Sequence, residues 1–375
     1  MPLSFRLGAF YFAYFAYAGA LVAYFPPYLA ARGLGAAEIA WVLALPQFIR
    51  IVAPAPWGWI ADRTGAQRGI VVFACAANAA LFALMPLASG FAGIAWLVGI
   101  AALPAAAALP LVEAIALRAL AGEAGRYGPV RLWGSVGFIL TVLGGGAWLD
   151  RFPMATLPGA LVVLAALSLV AALCLPALAP HERRRAGVRG ALSKAALALL
   201  GSGFCMAAAH GTLYAFLTLH LQREGYSVTL IGLLWTLGVV AEIVVFLYLP
   251  ALVRRYSLST LLLASCACGV IRFVAIGWGA GIGWLLFAAQ LLHAATFGSF
   301  HAAAVAAVHR VFPPGAEARG QAVFSAVAYG AGGATGALLA GWTWETLGPE
   351  WAFAVSSLAA GAGLLFAYPL RRAGL

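Results

Sequence analysis

The sequence predicts an all-α polytopic membrane protein, twelve transmembrane helices in two pseudo-symmetric six-helix halves. Three observations predict it. Of 375 residues, 64% are apolar and 9% charged, with a mean hydropathy of +0.98, far from the balance of a soluble domain. The apolar residues fall into about a dozen runs of roughly 20, the length that crosses a bilayer. The 22 basic residues are distributed as membrane topology requires: with the N-terminus in the cytoplasm, sixteen lie at cytoplasmic ends, three inside spans, and only Arg32, Arg151 and Arg223 on the outer side. This positive-inside bias fixes an even helix count with both termini cytoplasmic.

Taken in order, candidate spans run at about 7–30, 36–60, 69–89, 92–117, 129–149, 155–178, 193–221, 228–250, 258–280, 282–308, 319–342 and 351–370. The first begins within an apolar run to Ala31, too long for a signal-peptide core, and is read as retained. Pro46, Pro54, Pro56, Pro104 and Pro110 fall inside spans, where neighbouring helices can satisfy the freed carbonyls, so bent helices are expected. The densest basic stretch, His181 to Arg189, divides the chain. It separates an N-terminal half, 1–179, from a C-terminal half, 193–375, through a cytoplasmic linker at 180–192 that would rest beside anionic lipid. Two such halves suggest a transporter that binds its substrate near the midplane.

The net charge of +11 forms no coherent soluble patch, so no nucleic-acid partner is expected. Five cysteines inside apolar runs, with no C-x-x-C spacing, predict neither a disulfide framework nor a metal site. An enzyme would need clustered catalytic groups at an interface, a channel would need charge rings, and an ATP-driven pump a Walker motif. The sequence shows none of these.

Ionisable residues at bilayer depth cost about 2.5–3.5 kcal/mol each on insertion scales and are default functional candidates. Arg50, Glu113, Arg131, Glu242 and Arg272 qualify, with His210 and His293. His210 and His301 read equally as hydrogen-bond partners between helices. Gly144 to Gly146 and Gly330 to Gly336 read as matching close-packing seams in the two halves.

Between spans two and three the chain reads Gly58-Trp-Ile-Ala-Asp62-Arg63-Thr-Gly65-Ala-Gln-Arg68. This resembles the gating signature of the major facilitator superfamily. Gly58 would permit close helix contact, Asp62 would accept hydrogen bonds, and Gly65 would make the turn. Glu113 and Arg131, with Glu242, Arg272 and His293, resemble the substrate pair and the coupling residues of lactose-permease-type proton symporters. Ala209-His210-Gly-Thr-Leu-Tyr214, Leu234 to Glu242, Gly269-Val-Ile-Arg272, Gln290-Leu-Leu-His293 and Gln321 to Tyr329 are more similar to the 3-phenylpropionate transporter group of the same superfamily.

Two positions depart from the lactose-permease pattern. Thr296 stands where that group carries another carboxylate one turn after its histidine, and Phe138 where a tryptophan stacks on the sugar. The resemblance implies alternating access with the proton as coupling ion and no other cofactor. The partners would be protons and a small molecule, an aromatic carboxylate or alternatively a sugar or nucleoside, carried by a monomer in a bacterial inner membrane. Arg131 would hold the carboxylate through its planar fork, with Glu113, Phe138, Arg50, His210 and Tyr214 around the substrate. Glu242 would carry the proton, its state set by approach to Arg272, with His293 as relay.

Overall fold

The computed structural model describes residues 1–121, 124–178, 193–313 and 316–375; the basic linker lies outside them. Fifteen α-helices follow one another among these residues: α1 (Leu3–Ala31), α2 (Ala36–Val52), α3 (Pro54–Thr64), α4 (Gln67–Ala83), α5 (Gly90–Ala119), α6 (Tyr127–Leu149), α7 (Leu157–Leu173), α8 (Lys194–Arg223), α9 (Val228–Arg255), α10 (Leu258–Gly279), α11 (Gly283–Leu291), α12 (Phe300–Val311), α13 (Glu317–Ser325), α14 (Gly333–Thr346) and α15 (Pro349–Ala367). π-Helical turns at Ala294–Ser299 and Ala326–Gly332 join α11 to α12 and α13 to α14. Eleven of the resulting helices are long and apolar enough to cross a membrane, and α2 with α3, bent by 46°, makes the twelfth. Proline explains that bend: Pro54 has no N–H to donate, and its ring displaces the preceding turn.

Turn chemistry sets the ends. Gly65 closes α3 at φ +68°, and its N–H bonds to Ala61 O at 2.9 Å, the αL cap that glycine adopts without strain. Ser193 and Ser257 cap α8 and α10 through their hydroxyls, satisfying amides that a helix start leaves open.

The described chain forms two compact units. The first holds Met1–Leu34, α3 to α7 and Ser227–Leu233; the second holds Gly35–Ile51, α8 and Leu234–Leu375. Within the first, α1 packs on α6 and α7, and α4 on α5 and α7, around a core that includes Leu7, Phe10, Tyr11, Val71, Val112 and Ile115. Within the second, α8 packs on α14 and α15, and α10 on α15 and α12, around Leu199, Leu262, Cys266, Ala303, Phe324 and Leu370.

Glycine decides how closely the helices meet. A Cβ on Gly137 of α6 would stand 2.1 Å from Phe12 O of α1, and one on Gly336 of α14 would stand 2.1 Å from Ala208 O of α8. Only a residue without a side chain permits such backbone contact, the small-residue packing of membrane helices.

Candidate functional site

In the first unit the candidate residues gather along α6. The Arg131 guanidinium lies 4.1 Å from the centroid of Phe15 and 5.3 Å from that of Tyr11. Such stacking holds the planar cation by its face and leaves its edge donors free. Glu113 on α5 lies within electrostatic reach of Arg131, Tyr11 and Tyr127, but makes no ion pair with Arg131. Phe138, two turns after Arg131, is half-buried with its ring against Gly19 of α1. Arg131 and Phe138 thus share the side of α6 that meets α1.

The Gly58 to Arg68 loop differs in part from expectation. Arg63 stacks over Trp59 at 5.4 Å, and Arg68 donates to the carbonyl of Leu173, tying the start of α4 to the end of α7. A Cβ on Gly58, however, would meet nothing within 4 Å, so this glycine makes no close helix contact. Asp62 is exposed, with no hydrogen bond to a described residue.

In the second unit Arg272 of α10 is wholly buried. Its Nε donates to Ala289 O at 3.0 Å, Nη1 to Thr296 Oγ1 at 3.0 Å and to His210 Nε2 at 3.4 Å, and Nη2 to Gln290 Oε1 at 3.3 Å. Every acceptor is neutral. His210 on α8 places Nδ1 2.9 Å from Met206 O. A carbonyl can only accept and a guanidinium only donate, so His210 carries its proton on Nδ1, accepts through Nε2 and is neutral.

Glu242 on α9 does not meet Arg272; its Oε2 lies 3.9 Å from His293 Nε2. Gly298 and Gly238 make room, since a Cβ on the first would press within 3.1 Å of Glu242 Cγ and one on the second within 3.3 Å of the His293 ring. His293 stacks on Phe297 (5.4 Å, 7°), and Phe297 on His301 (6.2 Å, 8°). His301 Nδ1 then lies 2.6 Å from the hydroxyl of Tyr329. Tyr214 stacks on Trp235 at 6.2 Å, and exposed Arg50 on α2 lies within electrostatic reach of Tyr214 and Tyr329.

The structure therefore brings together Arg272 with His210, and Glu242 with His293. It adds Phe297 to the site, and gives Thr296, Gln290 and Tyr329, which the sequence marks only by resemblance, contacts with Arg272 and His301. Gln290 had one further signal: it precedes His293 by three residues, one helical turn.

Eleven helices and one bent pair apolar enough to cross a membrane, with Arg272 buried among them and Glu242 beside His293, make a polytopic membrane protein with the major facilitator fold. The sequence matches the MFS_1 like family over residues 4–355, and the chain belongs to it. It is 35% identical over 244 residues to the "Probable 3-phenylpropionic acid transporter" of Escherichia coli (strain K12), a match covering 62% of this chain and 63%, less than two thirds, of that relative. It is 29% identical over 329 residues to a maltose permease of Geobacillus stearothermophilus, covering 86% of this chain and 83% of the relative. The fold superposes on the nucleoside transporter NupG with a TM-score of 0.84 at 18% identity, covering 99% of both chains. A peptide transporter POT variant superposes at 0.78 and 13% identity, over 99% of this chain and 94% of the other. The relatives are transporters, and this chain is a multi-pass membrane transporter rather than an enzyme.

Proposed function

We propose that this transporter is a proton symporter for a small organic anion, an aromatic carboxylate of the 3-phenylpropionate type. In this reading it works by alternating access, as a monomer in a bacterial inner membrane with both termini cytoplasmic. One observation carries the anionic substrate: among the described residues neither Arg131 nor Arg272 has a carboxylate partner, and Arg272 is wholly buried among neutral acceptors. A buried charge without a counter-ion is costly, and a substrate that brings a negative charge offsets that cost. Arg131, stacked on Phe15 and Tyr11, presents a fork suited to a carboxylate, and Phe138 and Tyr214 offer rings for an apolar body.

Glu242 is the proposed proton carrier and His293, 3.9 Å away, the group that senses its charge. The loop from Gly58 to Arg68 is assigned to gating of the cytoplasmic end. A second reading, a proton symporter for a sugar or nucleoside, draws on the maltose permease, whose match spans more of this chain than that of the phenylpropionate relative.

The test is uptake of labelled 3-phenylpropionate, maltose and a nucleoside into vesicles, with and without a pH gradient. Accumulation of phenylpropionate that collapses with the gradient is expected, and Glu242→Gln should retain exchange but lose accumulation. Uptake indifferent to the gradient would remove the symport claim, and transport of maltose or nucleoside alone would overturn the substrate.

A further inference from the structure

Three rings of the tenth span stand in file. His293, Phe297 and His301 are four residues apart, and an α-helix turns about 40° past a full circle over each such step. The wider π-turn at Ala294–Ser299 offsets that drift. The ring planes therefore stay within 7° and 8° of parallel, with centroids 5.4 and 6.2 Å apart.

Phe297 is thus a partition between two polar groups. On one side, His293 Nε2 lies 3.9 Å from Glu242 Oε2, while its Nδ1 is buried and has no hydrogen-bond partner among the described residues. On the other, His301 Nδ1 lies 2.6 Å from the Tyr329 hydroxyl, and Phe324 braces Tyr329 edge-on at 6.0 Å. Tyr329 is within electrostatic reach of Glu242 and Arg50, so the two groups share one field with a phenyl ring between them. That ring has no atom that accepts or gives up a proton, and transfer needs a hydrogen bond of about 2.7–3.2 Å. His210 offers no detour. It lies 6.0 Å from His293 and 6.2 Å from Phe297 by ring centroids, but Met206 O occupies its Nδ1, and Arg272 and Thr296 its Nε2.

We propose that Phe297 is a proton seal, and that His301 with Tyr329 forms a second relay that takes the proton from His293 when the ring swings aside. The inference rests on Glu242 as proton carrier. With both termini cytoplasmic, α12 runs toward the cytoplasm, and eight residues of helix place His301 about 12 Å nearer that face than His293. Phe297 and His301 are half-buried, so packing does not lock the ring on every side. The step is a chain of single-proton transfers. Protonated Glu242 gives its proton to His293 Nε2, the Nδ1 proton of His293 passes to water in the vacated space, and that water protonates His301. Glu242 is left a carboxylate and His293 neutral with its proton on the other nitrogen. His301, now a cation, releases the proton to the cytoplasm. While the stack is closed the proton stays with Glu242 and His293, as coupling requires, because a proton that crosses without substrate dissipates the gradient.

The test needs no substrate. The protein is reconstituted into liposomes, and proton leak is followed with a trapped pH dye under a potassium diffusion potential. Phe297→Ala should leak several-fold faster than the parent. So should Phe297→His, which keeps the stack, supplies the missing acceptor and serves if the alanine variant fails to insert. Phe297→Leu, bulky and apolar, should stay tight. Adding His301→Phe to either leaking variant should return the leak to the parent rate. Absence of leak in both Phe297→Ala and Phe297→His overturns the proposal, as does a leak that survives His301→Phe, which would mean a loosened bundle. Adding Glu242→Gln separates the seal from the carrier: a leak lost with it supports both, and a leak that needs His301 but not Glu242 leaves the seal standing and removes Glu242 as carrier.

Discussion

Gly137→Ala should weaken the fold and the candidate site together, whereas the same change seven residues later should not. At Gly137 the added Cβ would lie 2.1 Å from Phe12 O, 2.9 Å from Phe12 C and 3.0 Å from Phe12 Cα. All three are backbone atoms, so no rotamer change relieves the overlap. Ordinary contact begins at 3.4 Å, so α1 must retreat by 3.4 − 2.1, about 1.3 Å. A gap of that size forfeits much of the dispersion along the interface, and overpacking of this kind costs about 1–3 kcal/mol. At Gly144 a Cβ meets nothing within 4 Å, and alanine there gains about 0.8–1 kcal/mol of helix propensity. The two variants should therefore differ by roughly 2–4 kcal/mol. Phe15 lies one turn after Phe12 on α1, so the displacement also draws its ring from the Arg131 guanidinium. The assay is survival of monodisperse protein after graded heating in detergent, with substrate binding measured on the survivors. Equal heat resistance of Gly137→Ala and Gly144→Ala would refute the packing argument, and Gly336→Ala, facing Ala208 O at the same 2.1 Å, should behave as Gly137→Ala does.

Three further outcomes are expected. Arg131→Lys removes the planar fork and its stack on Phe15, so carboxylate affinity should fall about tenfold or more; unchanged binding would take Arg131 out of the site. Thr296→Val deletes the hydroxyl that accepts from Arg272 at 3.0 Å and should cost about 1.5–3 kcal/mol of stability, as loss of a hydrogen bond to a charged group does, read in the same heating assay. Burial tends to raise the carboxyl of Asp150, but hydrogen bonds from Thr229 and Val228 outweigh it and hold the group below its ordinary value. A carboxylate held low stabilises the fold above its unfolded value and loses that contribution as pH falls through the folded one. The heat-resistance gap between the parent protein and Asp150→Asn should therefore be constant near neutrality and close only below the usual carboxylate range. A gap that closed between pH 6 and 7 would contradict this.

The spans were legible because hydropathy over some twenty residues is a coarse signal that packing does not alter. The bend before α3 was legible at Pro54. The two π-turns were not, because Ala294–Ser299 and Ala326–Gly332 carry no residue that demands a wider turn; they follow from tertiary packing. That mattered for the site. Arg272, Glu242, His210 and His293 stand out as ionisable groups in apolar runs and Thr296 as a departure from the symporter pattern, but that Thr296 and Gln290 bond to Arg272 depends on where a turn aims them. The stack of His293, Phe297 and His301 at spacings of four likewise runs through a π-turn that the sequence does not announce. Gly58 shows the opposite case: its loop stands out by motif, but the close helix contact attributed to the glycine is not made.

The absence of a bond between Glu242 and Arg272 sharpens the proposed mechanism. Had the two been paired, the charge state of the glutamate and the availability of the arginine would be one variable, and protonation would free the cation. Instead Arg272 is held by the Ala289 carbonyl, Thr296, His210 and Gln290, none of which changes charge when Glu242 takes a proton. His210 is tied to its neutral tautomer by Met206 O and by Arg272 itself. The cation is thus constant, and the changing charge faces His293. Under the proposed symport these are separate duties: Arg272 supplies a standing positive field that favours an anion whatever the proton occupancy, while the Glu242 and His293 pair registers the proton. Thr296, in the place of a carboxylate, is what separates them, since a fixed negative charge there would cancel the field on which an anionic substrate draws.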